Sequence, residues 1–260
     1  MTWGYVHFID PTGERALRDL DSASFLSRRE FLAAATSVVA VACAGRRAGA
    51  PTGSVVVFQG DSITDGGRNR AITEPNNDAA FGSSYAALLM RDIRAARPEV
   101  PWRFYNRGIS GNKLPDLQAR WAADTLALRP DILSILAGVN DYWHKRSFGY
   151  TGTTADYERQ YATLLAETRA ALPNVTLVVL EPFVLRTGAV DASWFPEFDE
   201  RRAAAARVAS AAGARFVPLQ AAFDARAAST GPEAWAKDGV HPTPAGHALI
   251  AEQWRAIVGL

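Results

Sequence analysis

The chain has 260 residues, 48% of them hydrophobic, enough for one well-buried core of single-domain size and leaving little room for a second full domain. Its 28 Lys and Arg nearly balance 27 Asp and Glu, so no strong field draws it to nucleic acid or to an anionic membrane surface. With Cys43 as the single cysteine, neither an intrachain disulfide nor a Cys-based metal site can form.

The N-terminal stretch reads apart from the rest. Ser27-Arg28-Arg29-Glu30-Phe31-Leu32 precedes Ala33 to Ala42, an uncharged run of mostly small or apolar side chains. This pattern resembles a twin-arginine export signal, which a receptor reads and a peptidase removes, and the apolar run is too short to remain as a membrane-spanning helix. Small residues in Ala40-Val41-Ala42 and Ala42-Cys43-Ala44 place the expected cleavage after Ala42 or Ala44. Val41-Ala42-Cys43 also resembles a weak lipoprotein box, with Ala40 where Leu is usual, in which Cys43 becomes a lipid-anchored first residue. The expected organisation is an export region over 1–44, a linker over 45–53 and a folded domain over 54–260. Such a protein works in the periplasm or outside the cell, with no transmembrane helix in its mature form.

From Ser54 onward, short β-branched runs alternate with longer helical patterns, the mark of a parallel sheet covered on both faces. Val55 to Phe58 reads as a buried first strand, followed by a helix on which Tyr85, Leu88, Leu89 and Ile93 recur at helical spacing. Asp65 to Phe81, rich in Gly, Asn and Arg, reads as a long polar loop between them. Arg103 to Asn106 is a second strand, and a helix from about Pro115 to Leu128 turns Leu117 and Trp121 to one side. Ile132 to Leu136 is the third strand, with Tyr157, Tyr161, Leu164, Leu165 and Leu172 marking the next helix. Val175 to Leu180 is the fourth strand, before an Ala-rich helix near Glu200 to Ala212 and a short strand at Arg215 to Val217. A closing helix runs from Pro244 with Leu249, Ile250, Trp254 and Ile257 inward. Five strands and their crossovers predict a three-layer α/β/α sandwich, in which chemistry belongs at the carboxyl ends of the strands.

Those ends carry informative residues. After the first strand, Gly60-Asp61-Ser62-Ile63-Thr64 turns sharply and presents a serine, although Asp-Ser after a strand is also a common helix N-cap. Thr64 stands where the nucleophile elbow of α/β-hydrolases has its second Gly, which disfavours that fold. Asn106-Arg107-Gly108-Ile109-Ser110-Gly111-Asn112 follows the second strand and Gly138-Val139-Asn140-Asp141 the third. Each supplies the uncharged donors an oxyanion hole needs, and each also reads as a simple Gly-Asn turn. Asp238-Gly239-Val240-His241-Pro242 stands before the last helix, with a carboxylate spaced to accept from Nδ1–H and leave Nε2 free. His247, within the final helix, reads as a packing residue, and no carboxylate is placed locally to orient His144.

Taken together, Gly60-Asp61-Ser62-Ile63-Thr64, Gly108 in its Asn-x-Gly setting, Gly138-Val139-Asn140-Asp141 and Asp238-x-x-His241 resemble the four blocks of the SGNH (GDSL) hydrolases over about residues 54–258. The resemblance implies a flavodoxin-like strand order 2-1-3-4-5. It also implies Ser62 as nucleophile, Asp238 and His241 as its partners, and an oxyanion hole from the N–H groups of Ser62 and Gly108 with the Asn140 side chain. An acyl-enzyme route of this kind needs neither cofactor nor metal. Asp61, Asn112, Trp143, His144 and Glu181 are the further candidates for substrate contact. Tyr142 and Trp194 offer aromatic surface that either lines a rim for a sugar or packs a loop on the body. No apolar tunnel or lid segment is evident, so the expected substrate is a small-molecule or glycan ester bearing a short acyl group, in the manner of bacterial carbohydrate esterases. A lysophospholipase or thioesterase of the same fold and a glycan-binding relic are the alternatives. A metal phosphoesterase is disfavoured because no His-x-Asp or His-x-x-x-His pattern joins Asp61, Asp65 and Asp141.

Overall fold

The structure is a computed structural model, and it describes residues 54–260. The export region, the linker and Cys43 lie outside the described residues. Five parallel strands, β1 (Val55–Gly60), β2 (Arg103–Asn106), β3 (Ile132–Leu136), β4 (Thr176–Leu180) and β5 (Arg215–Val217), form one sheet in the order β2-β1-β3-β4-β5. The layers are those the alternation of strands and helices predicts, and the strand order is the one the family resemblance implies.

Alternation along the central strands sorts the core into two layers. Val56 and Phe58 point to one face, where α2 (Tyr85–Ala96) and α8 (Pro244–Val258) bury Tyr85, Leu89, Ile250 and Trp254. Val55 and Val57 point to the other, packed by Leu117 and Trp121 of α3 (Leu114–Asp124), Tyr161 and Leu164 of α5 (Thr154–Ala171) and Val208 of α6 (Glu197–Ala211). Burying an apolar side chain of this size stabilises by roughly 1.5–3 kcal/mol. The indole N–H groups are also satisfied, Trp121 Nε1 by Thr168 Oγ1 at 2.9 Å and Trp254 Nε1 by Ser134 Oγ at 3.0 Å. Ile257, expected inward, is 40% exposed on the outer side of α8.

Two helices escape the sequence pattern. Gly138-Val139-Asn140-Asp141, read as a turn, opens α4 (Val139–Ser147), and α7 (Gln220–Thr230) follows β5. Both are short and bury only a few residues, so neither repeats an apolar stripe long enough to register a helical period. Among the described residues no helix is long and apolar enough to cross a membrane.

Candidate active site

Ser62 opens α1 (Ser62–Asp65), a helix of one turn directly after β1. A Cβ at Gly60, where φ is +156°, would collide with the Leu136 carbonyl and the Thr64 hydroxyl, so the chain can turn here only with glycine. Asp61 caps the turn, its Oδ1 accepting from Ile63 N at 3.0 Å. The turn is then gripped from behind. Asn106 Nδ2 donates to the Thr64 carbonyl at 2.7 Å and to Phe81 O at 3.1 Å, and Ser84 Oγ donates to the same Thr64 carbonyl at 2.8 Å. As the first helical residue, Ser62 keeps an N–H with no acceptor inside the helix.

Asp61 is expected to contact substrate, and the structure corrects this: the side chain is fully buried in the turn that presents Ser62, with Oδ2 unpartnered. Burial pushes its carboxyl up to about 7, against the opposing pull of the Ile63 N–H and of His241. Asp141, also buried, accepts from Leu114 N at 3.1 Å and is pushed up to about 6 by the same loss of solvent.

The loop after β2 closes over α1. Asp65 Oδ2 accepts from Ser110 N at 3.1 Å while its Oδ1 accepts from Gly67 N and Arg68 N, which ties α1 to this loop. Arg68 Nε donates to Gly108 O at 2.8 Å, and burial lowers that guanidinium to about 10, a loss that Asp65 partly offsets. A Cβ on Gly108 would clash with the backbone of Thr64 and Asp65, so glycine is required for close approach. Its N–H, expected to face an oxyanion, donates to Asn106 Oδ1 at 2.9 Å. Asn140 Nδ2 donates to Asn112 O at 3.2 Å, which orients the amide and leaves its second hydrogen for another acceptor. Asn112 serves here through its backbone, its side-chain oxygen being taken by Arg120 Nε at 2.9 Å.

On the other side of Ser62 stands the loop before α8. Ser62 Oγ lies 2.8 Å from His241 Nε2, and His241 Nδ1 lies 2.6 Å from Asp238 Oδ2. Asp238 Oδ1 accepts from His241 N at 2.7 Å and from Val240 N at 3.0 Å. Partial burial would raise this carboxyl, but the hydrogen bonds from the His241 ring and backbone win and hold it below its ordinary value. With Nδ1–H donated to Asp238, Nε2 offers its lone pair to the Ser62 hydroxyl, the arrangement a nucleophilic serine requires. The Trp143 ring packs against His241 with centroids 5.9 Å apart.

Other expected contacts fall elsewhere. Trp194 and Tyr142 are core residues, 1% and 3% exposed, so the packing reading holds for both. Glu181 is also buried and committed to structure, accepting from Arg202 Nε at 3.0 Å and Gln220 N at 2.9 Å. His144 is partly exposed and meets Phe148 edge-on. His247 accepts from Tyr85 N at 3.2 Å at the start of α2, and burial brings its imidazole down to about 4.

Residues 58–249 match the model of the GDSL-like lipase/acylhydrolase family. The chain belongs to this family. It is 32% identical over 212 residues to an acetylxylan esterase of Geobacillus stearothermophilus, covering 80% of this chain and 95% of that one. The solved structure of the Geobacillus enzyme superposes with a TM-score of 0.72 at 33% identity, covering 80% of this chain and 96% of the other. Two further structures of it are described as catalytic mutants, an Asp→Ala and a His→Ala three residues later in its sequence. A protein of Parabacteroides merdae described as GDSL-like reaches a TM-score of 0.78 at 43% identity, covering 79% of this chain and 95% of that one. As a GDSL esterase, the chain is a carboxylic-ester hydrolase.

Proposed function

We propose that this GDSL esterase removes acetyl groups from carbohydrate through an acyl-enzyme on Ser62. The observation that carries the reading is the unbroken chain from Ser62 Oγ to His241 Nε2 and from His241 Nδ1 to Asp238, at 2.8 and 2.6 Å. The likeness to an acetylxylan esterase supports the substrate class, and its Asp and His mutants share the spacing of Asp238 and His241.

In this mechanism His241 Nε2 takes the Ser62 proton as Oγ attacks the ester carbonyl. The Ser62 N–H and the free hydrogen of Asn140 Nδ2 hold the developing oxyanion, and the Gly108 N–H joins them only by sharing or leaving Asn106 Oδ1. The imidazolium, stabilised by Asp238, protonates the departing sugar hydroxyl and leaves acetyl-Ser62. Water then enters, gives a proton to His241, attacks the acetyl carbonyl and frees acetic acid as the proton returns to Oγ. Each step uses backbone and side-chain groups of this protein with one water, and calls on neither metal nor cofactor. Export through the twin-arginine signal, with or without lipid on Cys43, would place the enzyme among glycans, and the mass of the mature N-terminus reads both.

The deciding experiment measures acetate release from acetylated xylo-oligosaccharides alongside a chain-length series of p-nitrophenyl esters. The expected result is release by the parent, loss in Ser62→Ala, and a maximum at acetate in the ester series. A maximum at octanoate or longer, with no release from the oligosaccharides, would replace carbohydrate by a lysophospholipid or thioester substrate. A Ser62→Ala variant as active as the parent would overturn the mechanism itself.

A further inference from the structure

Phe148 is 73% exposed, and with Ile257 it makes up the exposed large hydrophobics among the described residues. Leaving such a ring in water forgoes roughly 1.5–3 kcal/mol of burial. Asn140, His144 and Phe148 follow one another at four-residue intervals along α4 and its cap, so they form one stripe. The stripe starts at the Asn140 amide, a proposed oxyanion donor, and ends about 12 Å further along the helix axis.

We propose that this stripe is a track for the sugar chain carrying the ester, with Phe148 as the platform on which a distal pyranose ring stacks. The inference rests on the carbohydrate reading above and extends it from the reacting acetyl group to the chain beyond. The platform is held firmly. Phe148 N donates to His144 O at 2.9 Å, Tyr150 N donates to the same carbonyl at 3.1 Å, and the fully buried Arg201 donates from Nη2 to Gly152 O at 3.0 Å. The His144 ring meets Phe148 edge-on at 5.0 Å and 71°, a contact along one side that leaves the rest of the ring open to solvent.

The chemistry around the stripe suits a sugar better than an acyl chain. Burial first, and then the charge of Lys113, lower the basicity of His144, leaving a neutral imidazole with one donor and one acceptor for hydroxyl groups. Across from it stands Gly111, where a side chain would meet only His144 Cε1, at 3.9 Å, so the space beside the imidazole stays open. A pyranose offers a face of C–H bonds to the electron-rich ring of Phe148 and hydroxyls at its edge to His144. A long acyl chain needs an enclosed apolar channel, whereas Phe148 presents one ring on an open surface.

The test compares kcat/KM for acetylated xylopentaose and acetylated xylobiose in the parent, Phe148→Ala and Phe148→Trp, each normalised to p-nitrophenyl acetate, with size exclusion of all three. The parent is expected to favour the longer chain. Phe148→Ala should lose about two- to tenfold of that preference, through KM, and Phe148→Trp should restore it. An unchanged preference in Phe148→Ala overturns the track, as does a change of oligomeric state, which would assign the ring to a contact between copies. A parent that deacetylates both sugars without preference removes the track and leaves the carbohydrate reading standing. A parent that cleaves p-nitrophenyl acetate and neither sugar removes both.

Discussion

The two ends of the Ser62–His241–Asp238 hydrogen-bond chain are built by different means. Around Ser62 the supporting groups are buried polar side chains, with Asp61 and Thr64 at 0%, Asp65 at 2% and Asn106 at 3% exposure, and side-chain hydrogen bonds join α1 to the segments at 81–84 and 106–110. Around His241 the support is mostly backbone: Leu185 N donates to Gly239 O, Ala189 N donates to Asp238 O, and Gly239 has a φ of +84° that keeps its Cα free of a side chain. The side chains of His241 and Asp238 themselves remain 45% and 42% exposed. An unsatisfied buried polar group costs free energy that an exposed one recovers from water. Damage at the serine end should therefore appear as lost stability, and damage at the histidine end as lost turnover alone.

The largest expected effect tests the exposed end. Asp238→Asn keeps an oxygen for the His241 and Val240 N–H groups but cannot accept Nδ1–H without turning its own amide, so the imidazole adopts the wrong tautomer. Turnover of p-nitrophenyl acetate should fall on the order of 10⁴-fold, with the thermal midpoint Tm close to the parent's. A fall in Tm as large as that of a core variant would erase the contrast between the two ends.

Asn106→Ala tests the buried end. It strips a donor from the Thr64 and Phe81 carbonyls and the acceptor from the Gly108 N–H at once. Urea denaturation should read a loss of about 2–4 kcal/mol. Activity should fall alongside, since α1 loses its backing. Unchanged stability would mean that water replaces the amide, and the grip on the nucleophile would be looser than its hydrogen bonds suggest.

Asp61→Asn sharpens the same comparison through pH. A carboxyl whose value is 3.8 in the unfolded chain and about 7 in the fold binds its proton more tightly when folded. The stability this brings is present at low pH and is lost as pH rises from 3.8 toward 7. The asparagine keeps the cap on Ile63 and has no proton to lose, so its Tm should gain on the parent's across that window. His247, depressed to about 4, acts with the opposite sign and loses stability as pH falls from 6.5, which is why the parent-to-variant difference is the quantity to measure.

What the sequence makes legible follows the same division. The strands announce themselves because a sheet covered on both faces needs continuous apolar runs, and Val55 to Phe58 and Ile132 to Leu136 are such runs. Ser62, Asp238 and His241 are legible because each stands in a short local pattern at an element's edge. Asn106 and Asp65 are not, since their partners lie some forty residues away and only the fold brings them together. Trp194 and Glu181 stand in loops that local sequence cannot assign to rim or core, and burial decides both for the interior. The track helix α4 is hidden for another reason: with few buried side chains, it has no stripe to display.

The contact between Ser62 and His241 joins residues 179 positions apart, the first strand's end to the last helix's start. Closing so long a loop costs entropy that only the completed sheet and the docking of α8 beside α2 can offset. On the proposed mechanism, hydrolysis therefore requires the end of β1 and the start of α8 to be folded together. On that mechanism a chain truncated before Asp238 keeps Ser62 and its whole buried cradle yet lacks the proposed base, so ester cleavage would read whether the loop before α8 has docked.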